Sequence, residues 1–304
     1  MALASSPPDY KSVPGMAMGA IAFALMTALD VVFKLMAEGH PAHQIIFVNG
    51  CFALIPIFGW ALLTGGLHRL HTTHPVHHAF RGVIAVAAAF SAIYAYSRLP
   101  LANFYAIVFT GPLIVTLLSA IFLKEAIDRE RWIAIGGGFF GVLIVTHFFG
   151  DLPNAPPTID VTAGRIAAFI SVFCYALSVI IVRRMRLGES NVSFSLYGHL
   201  AAISIGGAIL FVQGGPALSP DDIAHLALSG FLGGTATICL MTAYQRAPVA
   251  LVAPFQYTQI IWGALAGYML WGRVPDIYLI VGAVIVAACG LFVIYRETHA
   301  KEAL

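Results

Sequence analysis

Five residues, Tyr96-Ser97-Arg98-Leu99-Pro100, join two long apolar runs, and they return 148 residues later as Tyr244-Gln245-Arg246-Ala247-Pro248 between two more. The same shift carries Gly50 onto Gly198, His77 onto His225, Gly82 onto Gly230, Ala102 onto Ala250 and Asp128 onto Asp276. It also carries Ala28-Leu29 onto Ala176-Leu177. One constant shift over so much of a chain marks a duplicated unit, and a repeat has to be recognised before any local pattern is read. Whatever this chain folds into is built twice.

The runs themselves set the solvent. The chain is 60% hydrophobic and 10% charged, with a mean hydropathy of +0.88. A soluble domain carries about 25% charged residues, so this chain lacks the polar groups to cover a globule. A spanning helix needs roughly 20 apolar residues. Ten segments meet that length: Pro14–Met36, Ala42–Thr64, Val76–Ser97, Leu101–Leu123, Arg131–Phe149, Thr162–Met185, Ser190–Gln213, Ile223–Tyr244, Val249–Trp271 and Ile277–Tyr295. The expected fold class is an all-α membrane protein of ten transmembrane helices. Cys51, Cys174, Cys239 and Cys289 all lie in apolar runs and read as small buried hydrophobes rather than a disulfide framework. The leader Met1 to Ser12 has no basic n-region, so no cleavable signal peptide is expected.

Five spans per copy is an odd number, so the second copy must enter the membrane from the opposite side. The expectation is two inverted five-helix repeats of the kind found in secondary transporters, with solute near the midplane between them. The division is a tail over 1–12, a first repeat over 13–149, an external linker over 150–161, a second repeat over 162–295 and a tail over 296–304. With the N-terminus inside, twelve of the sixteen Lys and Arg residues fall on the inner side, among them Arg69, Arg81, Lys124, Arg183, Arg184 and Arg296. Lys34, Arg98, Arg165 and Arg273 fall outside. Inner loops carry the Lys/Arg excess, so both termini are expected in the cytoplasm.

The run Ala95-Tyr96-Ser97-Arg98-Leu99-Pro100-Leu101-Ala102, followed by Gly111-Pro112, Leu123-Lys124-Glu125, Gly136 and Gly141, resembles the EamA-type repeat of the drug/metabolite transporter superfamily. The second copy matches through Ala243-Tyr244-Gln245-Arg246-Ala247-Pro248-Val249-Ala250, Pro254 and Gly290. It departs where Arg273 answers Glu125, and the second helix has Asn49 where relatives often carry a basic residue. The general pattern is similar to YddG-like exporters of aromatic amino acids. The resemblance implies a transporter in the bacterial inner membrane, with a cavity lined by the first, third and fourth helices and their mates, the sixth, eighth and ninth.

Several residues could carry the chemistry. Asp30 and Lys34 are four apart on one helix face, well within the first span. An ionisable group at that depth is either functional or half of a self-neutralising pair; both are coupling candidates. Gln256, Tyr257 and Gln259 share the ninth span with Pro254, and their amides either bind a polar solute or hydrogen-bond between helices. Phe90, Tyr94, Phe104, Tyr105, Phe109 and Tyr175 place aromatic rings on the helices of the candidate lining, which suits an amphipathic solute or simple packing. Tyr94, Tyr105, Phe109 and Tyr175 join the glutamines and Tyr257 as candidate substrate residues. His199 in the seventh span reads as an interhelical hydrogen bonder or a proton relay.

Five imidazoles crowd the inner loop, at His68, His71, His74, His77 and His78. Pro75 interrupts any helix that would stack them, so a polar loop is the better reading than a metal site, and no metal or other cofactor is expected. No G-x-x-x-x-G-K-[ST] loop is present to couple ATP, and no H-E-x-x-H or G-x-S-x-G is present to support an enzyme. The expected function is secondary transport of a small organic solute, with export of an amino acid or metabolite first. Uptake of a nucleoside-type or cationic metabolite is the alternative. The partners are solute and lipid, with a homodimer left open and no nucleic acid.

Overall fold

The computed structural model describes residues 12–72, 74–123, 129–145, 160–185, 191–247 and 252–302. Most of the expected linker, the leader before Ser12, Lys124, Glu125 and Asp128 lie outside these residues. Among the described residues every regular element is helical. They are α1 (Ser12–Met36), α2 (Ala42–Thr64), α3 (Pro75–Tyr96), α4 (Leu101–Val108), α5 (Gly111–Leu123), α6 (Arg129–Val145), α7 (Val161–Met185), α8 (Asn191–Gln213), α9 (Pro220–Arg246), α10 (Gln259–Trp271) and α11 (Ile277–Glu302), with 3-10 turns at Leu67–Leu70 and Ala253–Thr258.

Among the described residues seven stretches are long and apolar enough to cross a membrane: Val13–Met36, Ala42–Thr64, Pro75–Tyr96, Leu101–Phe122, Val161–Ile181, Ser195–Gln213 and Pro220–Leu240. Trp132–Val145 and Ile277–Phe292 are apolar but shorter. The spans expected to be continuous over Leu101–Leu123 and Val249–Trp271 are not continuous α-helices. The fourth breaks between α4 and α5 at Phe109-Thr110. The ninth is a 3-10 turn over Ala253–Thr258 before α10 begins. Shifted back by the repeat length, that turn falls on positions 105–110, so the two breaks lie at matching depth. The cause is in the sequence: Pro112 and Pro254 have no N–H to give to the carbonyl four residues earlier.

The repeats are interleaved rather than set side by side. α1 packs chiefly on α9, and its shifted image, α7, packs on α3. α2 lies against α9 as α8 lies against α3, while α2 with α8 and α6 with α11 pair the repeat mates themselves. Glycines make the close approaches. A methyl on Gly230 would come within 2.5 Å of the Asn49 carbonyl, and one on Gly82 would meet the Ala201 methyl at 2.6 Å beside the Tyr197 carbonyl. Asn49 and Tyr197 are 148 apart, so one crossing is made twice.

The repeated joints have a seat each. A Cβ on Gly164, near the start of α7, would lie 2.7 Å from Arg98 Cβ and 3.1 Å from Leu99. A Cβ on Gly15, near the start of α1, would lie 2.6 Å from Ala247 Cβ. Each joint therefore rests on a glycine at the start of the other repeat's first helix. Leu99 is reached by Gly164 from the start of α7 and by Lys34 from the end of α1, so these repeat mates run in opposite directions.

One face of the bundle is laced by polar contacts. His43 Nε2 lies 3.0 Å from the Gly214 carbonyl, and Gln44 Nε2 donates to Pro216 O at 2.8 Å. α9 opens on that face with a capping box: Ser219 Oγ accepts from Asp222 N, and Asp222 Oδ2 accepts from Ser219 N. His40 Nε2 stands 3.4 Å from the same carboxylate.

Candidate functional site

Asp30 sits where α1 meets the joint between α3 and α4. Tyr105, 1% exposed, donates its hydroxyl to Asp30 Oδ2 at 2.9 Å. The Tyr96 hydroxyl faces the same carboxyl, and Thr27, one turn earlier on α1, faces Tyr105. The rings around it are ordered edge to face: Tyr96 on Phe104 at 4.6 Å and Phe104 on Tyr105 at 6.0 Å between centroids. A carboxylate in a span is costly unless something answers it. Here two phenols do so, Tyr96 from the end of α3 and Tyr105 from within α4.

Lys34 answers something else. Its Nζ donates to the carbonyls of Tyr96 at 2.5 Å and Leu99 at 2.8 Å. These are carbonyls left open where α3 ends, and a cation there also complements the helix dipole. The same ammonium lies 5.4 Å from the centroid of the Trp271 ring, whose Nε1 donates to Glu38 Oε1 at 3.3 Å. Asp30 and Lys34 share a face of α1, but among the described residues they form no ion pair. The end of α1 is tied to the joint twice, by a carboxylate that accepts hydrogen bonds from phenols and by an ammonium that donates them to backbone carbonyls.

The second group lies at the helix breaks. Phe109 is 1% exposed and meets Tyr257 with centroids 4.7 Å apart and planes at 72°. Tyr257 Oη is buried against Gly290, with no hydrogen-bond partner among the described residues. Gln259 is 6% exposed at the turn into α10, and its backbone N–H bonds to the carbonyls of Gln256 and Tyr257. Among the described residues neither Gln256 nor Gln259 has a side-chain hydrogen bond.

The remaining candidates are placed apart. Tyr94 is 43% exposed and stacks under Arg98, with the guanidinium carbon 3.5 Å from the ring centroid. Tyr175 is 58% exposed on α7. His199 bonds within its own helix, Nδ1 to Ser195 O at 2.9 Å. Asn49 is a helix-packing residue, donating to Ser229 Oγ at 2.9 Å. In the histidine loop His74 and His77 meet at 5.8 Å and His78 stacks on Tyr197, while no three metal-ligating groups converge among the described residues. Tyr96, Thr27, Trp271 and Glu38 were not expected at the site. The one signal for Tyr96 was its return as Tyr244 in the repeat.

A helical unit used twice, interleaved with its own copy and broken at matching depths in its fourth helix, defines the class: a membrane transporter built from duplicated halves. The chain belongs to the EamA-like transporter family of the drug/metabolite transporter superfamily, whose model matches residues 13–147 and again 162–296. It is 26% identical over 280 residues to the S-adenosylmethionine uptake transporter of Rickettsia bellii, covering 91% of each chain. It is 24% identical over 288 residues to the riboflavin transporter of Rhizobium johnstonii, covering 94% of this chain and 92% of that one. It is also 24% identical to the riboflavin transporter of Vibrio cholerae, at 91% of each. A protein solved as a crystal structure has the same fold, with a TM-score of 0.65 at 16% identity over 94% of this chain and 99% of that one.

Proposed function

We propose that the protein is a secondary carrier that takes up an organic metabolite bearing a positive charge or a nucleoside-type ring, binding it at Asp30. The observation that carries this reading is the carboxylate held by Tyr105 and Tyr96 at the contact of α1 with α3 and α4. A negative charge framed by aromatic rings is the chemistry that takes an organic cation, and phenol hydroxyls can be exchanged for ligand donors. The relatives' names favour uptake over the amino-acid export expected from the residues: one is called an uptake transporter for S-adenosylmethionine, a sulfonium cation carrying adenine. Gln256 and Gln259 on the broken ninth span supply the uncharged contacts. In the same reading the chain crosses the bacterial inner membrane ten times with both termini in the cytoplasm, and Lys34, Arg98 and Arg273 lie on the outer side.

The test is uptake of labelled S-adenosylmethionine into proteoliposomes, beside counterflow, which needs no gradient. Asp30→Asn is expected to lower both by about tenfold or more, the loss of one charge-assisted contact of about 1.5–3 kcal/mol. Tyr105→Phe, which leaves the charge, is expected to lose less. Counterflow kept with accumulation lost would make Asp30 a coupling group rather than a binding group. Unchanged behaviour in both assays would remove Asp30 from the mechanism.

A further inference from the structure

Beside the Asp30 cluster, on the face where Lys34 lies, α4, α10 and the start of α11 enclose a cavity of about 380 Å³. That is within the roughly 300–1,000 Å³ of small-molecule sites. Leu101 and Asn103 line it from α4, Gly263, Gly267 and Trp271 from α10, and Arg273 from the turn that follows. The three α10 residues are four apart, so they fall on one helix face. That face has two positions without side chains and ends in an indole.

The two glycines differ in what lies above them. Gly267 is buried, yet among the described residues a Cβ there would meet nothing within 4 Å. A buried glycine over open space is the wall of a hole of the right kind to be filled. A Cβ on Gly263, one turn nearer the membrane centre, would press on the Tyr105 ring at 2.5 and 2.7 Å. Tyr105 is the residue whose hydroxyl holds Asp30. Gly263 in the cavity wall and the Tyr105 side chain behind it therefore stand between the cavity and the carboxylate. Trp271 is held at the far end by its bond to Glu38 and by the Lys34 ammonium, and Arg273 with Asp276 sets charge at the rim.

We propose that this cavity is a binding station for a planar heteroaromatic ring, slotted between the glycine face of α10 and the backbone at the start of α4, in line with Asp30. A wall without side chains accepts a flat ring at van der Waals distance, the indole offers it an aromatic neighbour, and the rim takes a polar or charged tail. The station deepens the uptake reading above, since a solute resting there is divided from the carboxylate by Gly263 and, behind it, Tyr105. Tyr105 is then the partition between two stations, with Gly263 small so that the ring can close against it.

The experiment is equilibrium binding of riboflavin and, separately, of adenosine to the purified full-length protein, read by flavin fluorescence quenching and by calorimetry. Wild type is expected to bind at least one of the two saturably. Gly267→Leu fills the slot, and affinity is expected to fall by about tenfold or more. Gly267→Ala is expected to weaken binding less, and because nothing lies above Gly267 its melting temperature should match wild type. Undiminished binding in Gly267→Leu, or no saturable binding of either probe to wild type, overturns the proposal. Asp30-dependent uptake of S-adenosylmethionine that survives such a result leaves the carrier reading standing and removes only the station. Slot binding without Asp30-dependent uptake does the reverse.

Discussion

Phe109 and Tyr257 occupy the same position of the two repeats, 148 residues apart, and their rings touch edge to face with centroids 4.7 Å apart. Only residues close to the axis relating two repeats can meet their own mates. The contact thus marks that axis, and it falls where both repeats break their fourth helix. Discontinuous helices at equivalent places in the two halves are where carriers of this construction bind and re-pack.

The pair is testable as a pair. Phe109→Ala and Tyr257→Ala are expected to be non-additive, with a coupling of about 0.5–1.5 kcal/mol in a double-mutant cycle on stability. Tyr257→Phe, which removes a buried hydroxyl with no partner among the described residues, is expected to stabilise the protein by about 1–3 kcal/mol, the desolvation that hydroxyl now bears. A destabilised Tyr257→Phe would mean that the hydroxyl has found a partner.

Lys34 is expected to act as a latch on its face of the bundle. Lys34→Met removes two hydrogen bonds from a charged donor, each worth about 1.5–3 kcal/mol. The end of α1 should then part from the joint more often, and a cysteine introduced at Leu99 should react with a polar maleimide at least about tenfold faster. Lys34→Arg should keep part of the protection. Equal rates in wild type and Lys34→Met would show that these bonds do not hold the face closed.

Glycine substitutions should divide according to their surroundings. A Cβ on Gly141 would stand 3.0 Å from the Gly282 carbonyl, and one on Gly282 would strike the Gly141 carbonyl at 2.5 Å, so α6 and α11 cross at this pair. Gly141→Leu and Gly282→Leu are each expected to cost about 1–3 kcal/mol. Gly136→Leu, with nothing within 4 Å among the described residues, is expected to be nearly neutral. Detergent melts of the three variants decide this, and a melt of Gly136→Leu as low as the others would mean the crossing is not where the glycines place it.

Orientation is checked by fusion. A reporter after Leu304 is expected on the cytoplasmic side and one within Gly150–Val161 on the outer side, on the twelve-to-four distribution of Lys and Arg. A C-terminus found outside would reverse the faces assigned to Lys34 and Arg273.

Much of this protein is a property of the chain read in order. The duplication and most of the helices follow from the constant shift and the apolar lengths, because both are linear features that the lipid solvent enforces span by span. Pro112 and Pro254 already mark the broken helices, since a missing N–H acts locally. Asp30 and Tyr105 could each be singled out as a polar group in an apolar run.

What the chain in order could not decide was who answers whom. Spacing put Lys34 beside Asp30, and on the helix surface they are neighbours. The carbonyls that capture Lys34 belong to residues 62 and 65 positions away, and the phenol that captures Asp30 is 75 away. Those partners exist only once α3 has ended against α1. The same holds for the Phe109–Tyr257 contact and for the open space above Gly267. A long side chain chooses among partners by distance in the packed bundle, and that distance is set by the glycine crossings between the repeats.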